Sequence, residues 1–552
     1  MQINSIEPRN ASVVLLLVFT VLFAPRSLQS QVSPVRAFDA KCAQCHESIY
    51  RNYLTTPMAN ASGPAIEKLK AASFTHKPSN IQYDLSLVKG KAVLTYREQL
   101  EPSTSQQLPL SYFLGSGHLG TTYIYSIGHF LFESPIAWYA ASNGYDMKPG
   151  LAEMKQAPPS LPMQSGCLRC HMSNVQASDS GTINRYKSLP FLHSGITCEA
   201  CHGDAQQHLL MGDKSKIVNP ARLAAESRDS ICISCHLEGD VTVERAGHSA
   251  LNYRPGESIS TYLAYYVYRD ANATSRGVSE VEQLAQSTCK RMSGDKMSCT
   301  SCHDPHFTPD ASQRTAFFRG KCLACHNQPE FATAHHPEKQ DCTSCHMQTT
   351  GAQNIPHVAW TDHRILRIPE NLKLETLEDK KGRLTPIFSP DATNRDLAMA
   401  NYKAMLEGDR SLESAAWEQL TQLRDAINDD PEALDALGVL NAERKDSKSA
   451  EKAFRRVLEL IPDDLTALSN LGTLLAQQGR PKEAISTLQP AFDRNPNISG
   501  LAMNLARVEC AAGDAAAAQH ALETTLIYNP TLQSVKRLLA QMSSCNGENF
   551  KR

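Results

Sequence analysis

Hydrophobic and polar residues alternate in the first quarter of the chain. Ile81, Tyr83, Leu85 and Leu87 are separated by single polar residues, and Lys89-Gly90 leads into a second apolar run, KAVLTY. A period of two places apolar side chains on one face of a strand, and the glycine favours a hairpin turn. The aromatic runs YFLGSG and TTYIYSIGHFLF predict further strands. We therefore predict a β-rich segment within 31–150.

A period of 34 residues appears towards the C-terminal end. Pro462, Pro496 and Pro530 are each 34 positions apart. Small residues repeat in step with them, as do the leucines that precede the first set: Gly438, Gly472 and Ala506; Ala450, Ala484 and Ala518; Leu437, Leu471 and Leu505. This is the tetratricopeptide pattern, in which each unit forms two antiparallel helices with small residues at their contact. It predicts a repeat domain over 397–532, with units 431–464, 465–498 and 499–532, a degenerate unit 397–430 and a capping helix at 533–552.

The middle of the chain has neither period. Residues 151–370 contain few long amphipathic runs, and residues 371–396 are polar with two prolines. We predict a loop-rich domain followed by a linker. The predicted fold class is mixed: a loop-rich domain with some β structure in its N-terminal part, then an all-α tetratricopeptide-repeat solenoid.

An apolar run from Ala11 to Ala24 has the length of a signal-peptide core and is short for a membrane span. It predicts a signal peptide over 1–30 and a periplasmic or otherwise exported bacterial protein. A buried helix and an uncleaved anchor are the alternatives, and only the anchor would attach the protein to the inner membrane.

Cysteine usage is the most informative feature of the composition. The 552 residues include 17 cysteines, and 14 of them lie in seven C-x-x-C-H strings. This is the attachment motif of c-type haem: two thiols bond to the haem and the adjacent histidine binds its iron. Net charge is −2 and no basic tract is present, so nucleic acid is not expected as a partner.

The predicted cofactor is therefore seven covalent haem c groups. The attachment cysteines are Cys42, Cys45, Cys167, Cys170, Cys198, Cys201, Cys232, Cys235, Cys299, Cys302, Cys322, Cys325, Cys342 and Cys345. The proximal iron ligands are His46, His171, His202, His236, His303, His326 and His346. A redox dithiol or half of a zinc site are the alternatives for a single motif, but neither needs the fixed histidine.

The second axial ligand of each iron must come from elsewhere in the chain. The candidate distal histidines are His76, His129, His193, His208, His306, His335, His357 and His363. Methionine or an open site are the alternatives. His357 and His363 follow the last motif closely with Trp360 between them, and we expect each to complete one haem.

Segments around the motifs resemble a known family. HSGITCEACHGDAQQH at 193–208, CTSCHDPH at 299–306 and the first motif segment are similar to the ammonia-oxidiser tetrahaem cytochromes and the hydroxylamine oxidoreductase superfamily. PHVAWTDHRI at 356–365 resembles a segment of bacterial proteins that join such haem domains to tetratricopeptide repeats. The resemblance covers about 38–370 and implies close-packed haem pairs with mostly bis-histidine ligation. The motif count of seven departs from the four or eight of that family.

Three cysteines lie outside the motifs. A disulfide between Cys510 and Cys545 could tie the capping helix to the last repeat in an oxidising compartment. Cys289, within QSTCK, lacks the first cysteine of a C-x-x-C-K motif, and a haem held by this cysteine alone is the alternative to a free thiol.

Seven irons in one chain predict electron transfer, with redox partner proteins docked on the repeat domain. The main alternative is a multihaem oxidoreductase acting on a small nitrogen or sulfur compound at one open haem. A third interpretation is an assembly scaffold with structural haems.

Overall fold

The fold is described from a computed structural model. It covers residues 33–34, 38–98, 105–156, 160–268, 276–328, 331, 340–352, 355, 357–367, 382–388, 392–542 and 545. The signal-peptide prediction lies outside these residues, as does the candidate ligand His335. Across the described part of the chain, no helix is long and apolar enough to cross a membrane.

A nine-stranded antiparallel sheet forms the N-terminal part. The strands are β2 (Ser62–Pro64), β3 (Ala72–His76), β4 (Ile81–Val88), β5 (Lys91–Glu98), β6 (Ser105–Leu114), β7 (Gly120–Ile127), β8 (Phe130–Tyr139), β9 (Gly144–Met147) and β10 (Leu161–Pro162). Neighbouring strands follow the order β10-β8-β7-β6-β5-β4-β3, and in addition β2 pairs with β6 and β9 pairs with β8. The predicted hairpin is confirmed, because Val88 pairs with Lys91 across the Lys89-Gly90 turn. The alternating residues Ile81, Tyr83 and Leu85 are buried in the core of this sheet.

Short helices and three small sheets lie outside the large sheet, and of these elements α1 and β1 precede it in the chain. The helices are α1 (Ala40–Tyr53), α2 (Ser165–Leu168), α3 (Glu199–His202), α4 (Gln206–Met211), α5 (Ala225–His236), α6 (Glu280–Gln286), α7 (Thr288–Ser293), α8 (Cys299–Cys302), α9 (Arg314–Leu323) and α10 (Thr343–His346). The small sheets are formed by β1 (Ser33–Pro34), β12 (His193–Ser194) and β11 (Met172–Ser173); by β13 (Val241–Glu244), β14 (Leu263–Tyr268) and β17 (Leu384–Pro386); and by β15 (Thr349–Gly351) and β16 (Ala359–Thr361).

Within the described residues 392–542 there are nine α-helices, and those from residue 431 onwards follow the 34-residue period. They are α11 (Asn394–Leu406), α12 (Glu413–Gln422), α13 (Pro431–Glu443), α14 (Ser447–Leu460), α15 (Leu465–Gln477), α16 (Pro481–Arg494), α17 (Ser499–Ala511), α18 (Ala515–Tyr528) and α19 (Gln533–Met542). A Cβ added at Gly438 would lie 2.5 Å from the Phe454 ring, and one at Gly472 would lie 2.4 Å from Leu488. The small positions are therefore the places where the two helices of a unit touch. The Cys510–Cys545 disulfide is present.

The prediction of a linker over 371–396 is wrong for the part of this segment that the structure describes, residues 382–388 and 392–396. Leu384–Pro386 forms the edge strand β17 against β14, and Leu384 is buried. Helix α11 then packs on this small sheet, so that Val241, Val243 and Tyr266 share one core with the first repeat helices. The polar composition of the segment concealed a three-residue strand, because a strand this short has no period to detect.

The repeat helices also contact the N-terminal part through their loops. Tyr528 packs against Phe130 at a ring-centre distance of 5.2 Å, and Asn529 Oδ1 accepts a hydrogen bond from the Ser160 backbone N–H at 2.8 Å. Asn497 Nδ2 donates to Asn184 Oδ1 at 3.0 Å, and both side chains are buried. The C-terminal solenoid is therefore packed against the rest of the molecule.

Candidate haem-binding region

Each C-x-x-C-H motif folds as about one helical turn. The backbone N–H of the histidine donates to the carbonyl of the first cysteine in four motifs, at His202, His303, His326 and His346, with distances of 2.9–3.0 Å. Residues three and four positions apart lie on one face of a helical turn. Both thiols and the histidine therefore face the same side, as covalent attachment of one haem requires.

Three motif histidines face a second histidine from a distant part of the chain. The ring centres are 6.5 Å apart for His46 and His208, 5.9 Å for His202 and His306, and 6.2 Å for His303 and His363. The ring planes are inclined by only 13–29°. A metal–imidazole bond is about 2 Å long, so two imidazoles on opposite sides of one metal ion have ring centres about 6 Å apart. The three pairs fit bis-histidine haem.

Hydrogen bonds at Nδ1 orient several of these rings. His202 Nδ1 contacts the Val218 carbonyl at 2.8 Å, and His346 Nδ1 contacts the Leu366 carbonyl at 2.7 Å. Of the distal candidates, His208 Nδ1 contacts the Asp213 carbonyl at 3.0 Å and His363 Nδ1 contacts the Thr361 carbonyl at 2.8 Å. A carbonyl at Nδ1 selects the tautomer with its proton there, which leaves the Nε2 lone pair for iron.

Burial favours the neutral imidazole that a metal needs. It lowers the pKa of His306, with a further contribution from the neighbouring His202. Burial also lowers the pKa of His171, the proximal candidate of the second motif. Both groups are therefore held in the form that can donate a lone pair to iron.

The other distal candidates have different surroundings. Both ring nitrogens of His76 are engaged, Nδ1 with Ser79 Oγ at 2.7 Å and Nε2 with the Ala152 carbonyl at 2.8 Å. His76 therefore has no ring nitrogen left for iron, since its place in β3 commits it to the sheet. His129 is exposed in the turn between β7 and β8.

His357 and His193 are placed differently again. His357 Nε2 contacts Asp146 Oδ2 at 2.8 Å, and its ring lies 5.2 Å from the Tyr139 ring. This contact turns Nε2 of His357 towards the large sheet, in contrast to His363, and the expectation that each of the two completes one haem stays a prediction. His193 lies in β12 opposite Ser173, close to the second motif, with its ring 3.8 Å from Phe38.

Cysteines of different motifs contact each other. The side chains of four pairs lie close enough to interact: Cys42 with Cys198, Cys170 with Cys235, Cys232 with Cys299, and Cys322 with Cys342. They connect the first motif with the third, the second and fifth with the fourth, and the sixth with the seventh. The motifs are therefore packed against one another rather than spread along the chain.

Electrostatic interactions connect the third motif with the fourth and the fifth with the sixth. Burial raises the pKa of Cys201 to about 12, with a further contribution from Cys235, so the third motif adjoins the fourth. Burial and then the neighbours Cys342 and Cys302 raise the pKa of Cys322 to about 11. Helix α9, which carries Cys322, also contacts α8 of the fifth motif, so the fifth motif adjoins the sixth. All seven motifs form one connected cluster.

Two residues that the sequence did not single out hold motifs together. The Asp39 carboxylate accepts from the Cys198 backbone N–H at 3.1 and 3.2 Å, and its burial raises its pKa to about 6. The Arg169 guanidinium donates to the Ser234 carbonyl, which links the second motif to the fourth. Arg169 lies inside its motif and Asp39 three residues before one, but nothing local indicates a partner more than 60 positions away.

Comparisons with known proteins identify parts of both regions. Residues 141–203 match the family "cytochrome c554 and c-prime", and residues 441–498 and 475–542 match the tetratricopeptide repeat. A curated relative, the multihaem cytochrome MtrA of Shewanella baltica, is 26% identical over 174 residues, which cover 29% of this chain and 51% of the relative. The findings support a multihaem c-type cytochrome with C-terminal tetratricopeptide repeats. The chain spans about half the length of the curated relative that it matches.

Solved structures resemble only a part of the chain. MamA from Desulfovibrio magneticus RS-1 is 20% identical, covering 28% of this chain and 85% of its own, with a TM-score of 0.25. Pseudomonas aeruginosa pilF is 24% identical, covering 27% and 68%, also with a TM-score of 0.25.

Proposed function

We propose that this protein is an exported electron-transfer cytochrome that holds seven covalent haems in one connected cluster. The observation that carries the proposal is the contact between cysteines of different motifs, which leaves no motif isolated. Haem iron, when bound, takes up and gives back single electrons. Electron transfer along a chain of irons requires neighbouring haems to lie close together.

The residues of the chain divide the work of holding these groups. The fourteen motif cysteines attach the haems and the seven motif histidines bind the irons from one side. His208, His306 and His363 bind three irons from the other side, as their ring spacing supports. His193 and His335 remain proposed ligands of other irons. For His129 only the sequence supports a role as an iron ligand. Because segments 193–208 and 299–306 resemble the ammonia-oxidiser tetrahaem cytochromes, we propose that the haem region is related to that family.

The repeat domain is proposed to dock a redox partner. Polar side chains connect the first helices of successive units: Asn470 Nδ2 donates to Asp435 Oδ1 at 3.2 Å, and Asn504 Nδ2 donates to Thr473 Oγ1 at 3.2 Å. The first helices of stacked repeats line the concave surface that such solenoids use for binding. We propose export because covalent haem attachment takes place outside the cytoplasm and because Ala11–Ala24 has the length of a signal-peptide core. Cell fractionation of the holoprotein tests it.

A haem count and a redox titration test the function together. We expect seven haems per chain by pyridine haemochrome assay and a graded series of midpoint potentials in a spectroelectrochemical titration. The ferrous protein should bind little carbon monoxide, because bis-histidine irons have no open position. A single potential shared by all haems would contradict an electron-transfer chain. Carbon monoxide binding to one haem in the wild-type protein would instead favour the oxidoreductase interpretation.

A further inference from the structure

A small basic cavity lies on the large sheet, formed by the segment after β2 and the loop between β6 and β7. Its volume is about 220 Å³. It is lined by Lys68, Lys70, Ser116, Gly117, His118, Thr121 and Trp138. The lining therefore contains two ammonium groups, two hydroxyls and an imidazole, and among the described residues it includes no carboxylate.

A pair of tyrosines, of which Tyr123 is buried, holds the backbone at the two lysines. Tyr123 Oη donates to the Lys68 carbonyl at 3.2 Å, and the Lys70 backbone N–H donates to Tyr145 Oη at 3.2 Å. The two phenol oxygens are themselves 2.9 Å apart. Because both backbone groups are bound, the lysine side chains leave the chain at fixed points.

The side chains then converge on the cavity. Lys68 Nζ donates to the Ser116 carbonyl at 3.0 Å, which uses one of the three N–H donors of an ammonium group. Lys70 Nζ lies 3.4 Å from the centre of the Trp138 ring. Two ammonium groups thus line one cavity whose lining includes no carboxylate, and this distribution of charge attracts an anion.

The opposite wall depends on glycine. Gly115 and Gly117 have φ of +95° and +89°, and Gly115 is held by its N–H bond to the Ala61 carbonyl at 2.7 Å. A Cβ at Gly117 would lie 3.6 Å from Thr121 Oγ1 and 3.7 Å from Lys68 Nζ. It would thus occupy the space next to the ammonium group. The absence of a side chain here keeps that space open.

We propose that this cavity binds a small inorganic oxyanion of the phosphate or sulfate type. The side chains of the lining include two ammonium groups, an imidazole and two hydroxyls, all of which can donate to anion oxygens. The volume is below the range of about 300–1,000 Å³ that is usual for sites of drug-sized ligands. None of the lining residues belongs to a C-x-x-C-H motif, so the proposed site goes beyond the proposed electron transfer.

Calorimetric titration of the haem-loaded, full-length protein with inorganic phosphate, and separately with sulfate, tests the proposal. We expect one saturable site per chain at low ionic strength, weakening as salt is added. The double variant Lys68→Gln/Lys70→Gln should bind at least tenfold more weakly. The matched control Lys89→Gln/Lys91→Gln removes the same charge with the same spacing from an exposed turn of the same sheet, and should bind as the wild type does.

A second pair of variants tests the cavity without changing charge. Gly117→Ala should weaken binding, whereas Gly128→Ala should not. Gly128 also has positive φ, at +59°, but nothing lies within 4 Å of an added Cβ there. The proposal is overturned if neither anion binds saturably, or if both lysine pairs reduce affinity equally, which would indicate a net-charge effect. Unchanged binding in both Lys68→Gln/Lys70→Gln and Gly117→Ala would also overturn it.

Discussion

At the residue scale, two candidate distal histidines close together in the chain have different contacts. His363 faces His303, and its Nδ1 is bound by a carbonyl, whereas His357 gives its Nε2 to Asp146. The two residues are six positions apart in the chain and have different environments. Local sequence treats them alike, so the difference is best tested by substituting each in turn.

His363→Ala should open one axial position. One haem is then expected to become high-spin and to bind carbon monoxide when reduced, because its iron loses a ligand. His357→Ala is the matched control and should leave the spin state of every haem unchanged. Electron paramagnetic resonance and carbon monoxide difference spectra measure both effects. If the two variants behave alike, the ring pairing of His303 with His363 does not reflect ligation.

A buried carboxyl group in the repeats makes stability depend on pH. Burial raises the pKa of Asp435 to about 7. Because this pKa lies above the ordinary value of about 3.9, the unfolded chain gives up the proton first. Its contribution to stability is complete below pH 4 and is lost as pH rises through 7.

Asp435→Asn should therefore stabilise the protein more at pH 8 than at pH 5, because the amide cannot ionise. A rise of several degrees in the unfolding midpoint at pH 8 is expected, at roughly 2–4 °C per kcal/mol. Asp446→Asn is a control of opposite sign: the Asp446 side chain caps α14 by accepting from Ser449 N at 3.1 Å, and hydrogen bonds from the Ser449 side chain and then its backbone N–H lower the pKa of Asp446. Calorimetry at the two pH values compares them, and an equal gain for Asp435→Asn at both would show that ionisation is not involved.

At the scale of elements, the end of α18 connects the repeats to the large sheet. Tyr528 at the end of α18 packs on Phe130 and lies 6.4 Å from Phe132. Its neighbour Ile527 is 62% exposed and points elsewhere. Substituting Tyr528 and Ile527 in turn therefore compares a contact between the two regions with an exposed surface position.

Tyr528→Ala should lower the free energy of unfolding by about 1–3 kcal/mol, the range typical of lost buried contacts. Ile527→Ala should change it by less than about 0.5 kcal/mol. Thermal unfolding and limited proteolysis between the two regions report the effect. Equal results for both variants would mean that the Tyr528 contact does not hold the repeats against the sheet.

At the scale of the whole molecule, the haem region and the repeats depend on each other. The small sheet that follows the fourth motif is covered by α11, and the two share one hydrophobic core. A chain ending at residue 391 would expose Tyr266 and the valines of β13. We therefore expect it to incorporate less haem and to be cleaved faster by protease.

A chain ending at residue 464 provides the comparison. It keeps α11–α14, which cover the small sheet, and loses only the later repeats. It should retain more haem per chain than the shorter form, measured by haemochrome assay against protein mass. Full haem content in the chain ending at 391 would show that the cytochrome region folds independently.

Sequence alone determined the features that depend on neighbours in the chain. The C-x-x-C-H strings predict haem because one helical turn brings their thiols and imidazole to the same face. The 34-residue period predicts the helix pairs, and the Lys89-Gly90 turn predicts its hairpin, because each is encoded within a short segment. The Cys510–Cys545 pairing was also within reach, because two cysteines remained near the end of the repeats.

Only the tertiary structure decided what depends on distant segments. His46 meets His208 and His202 meets His306 because the short helices that carry the motifs pack on one another, and no local pattern encodes that packing. The same holds for the strand at Leu384–Pro386, which exists only through its hydrogen bonds to β14. The cavity between Lys68 and Gly117 also arises from two loops brought together by the sheet. Spacing can identify a cofactor, but the partner on the far side of an iron is set by long-range packing.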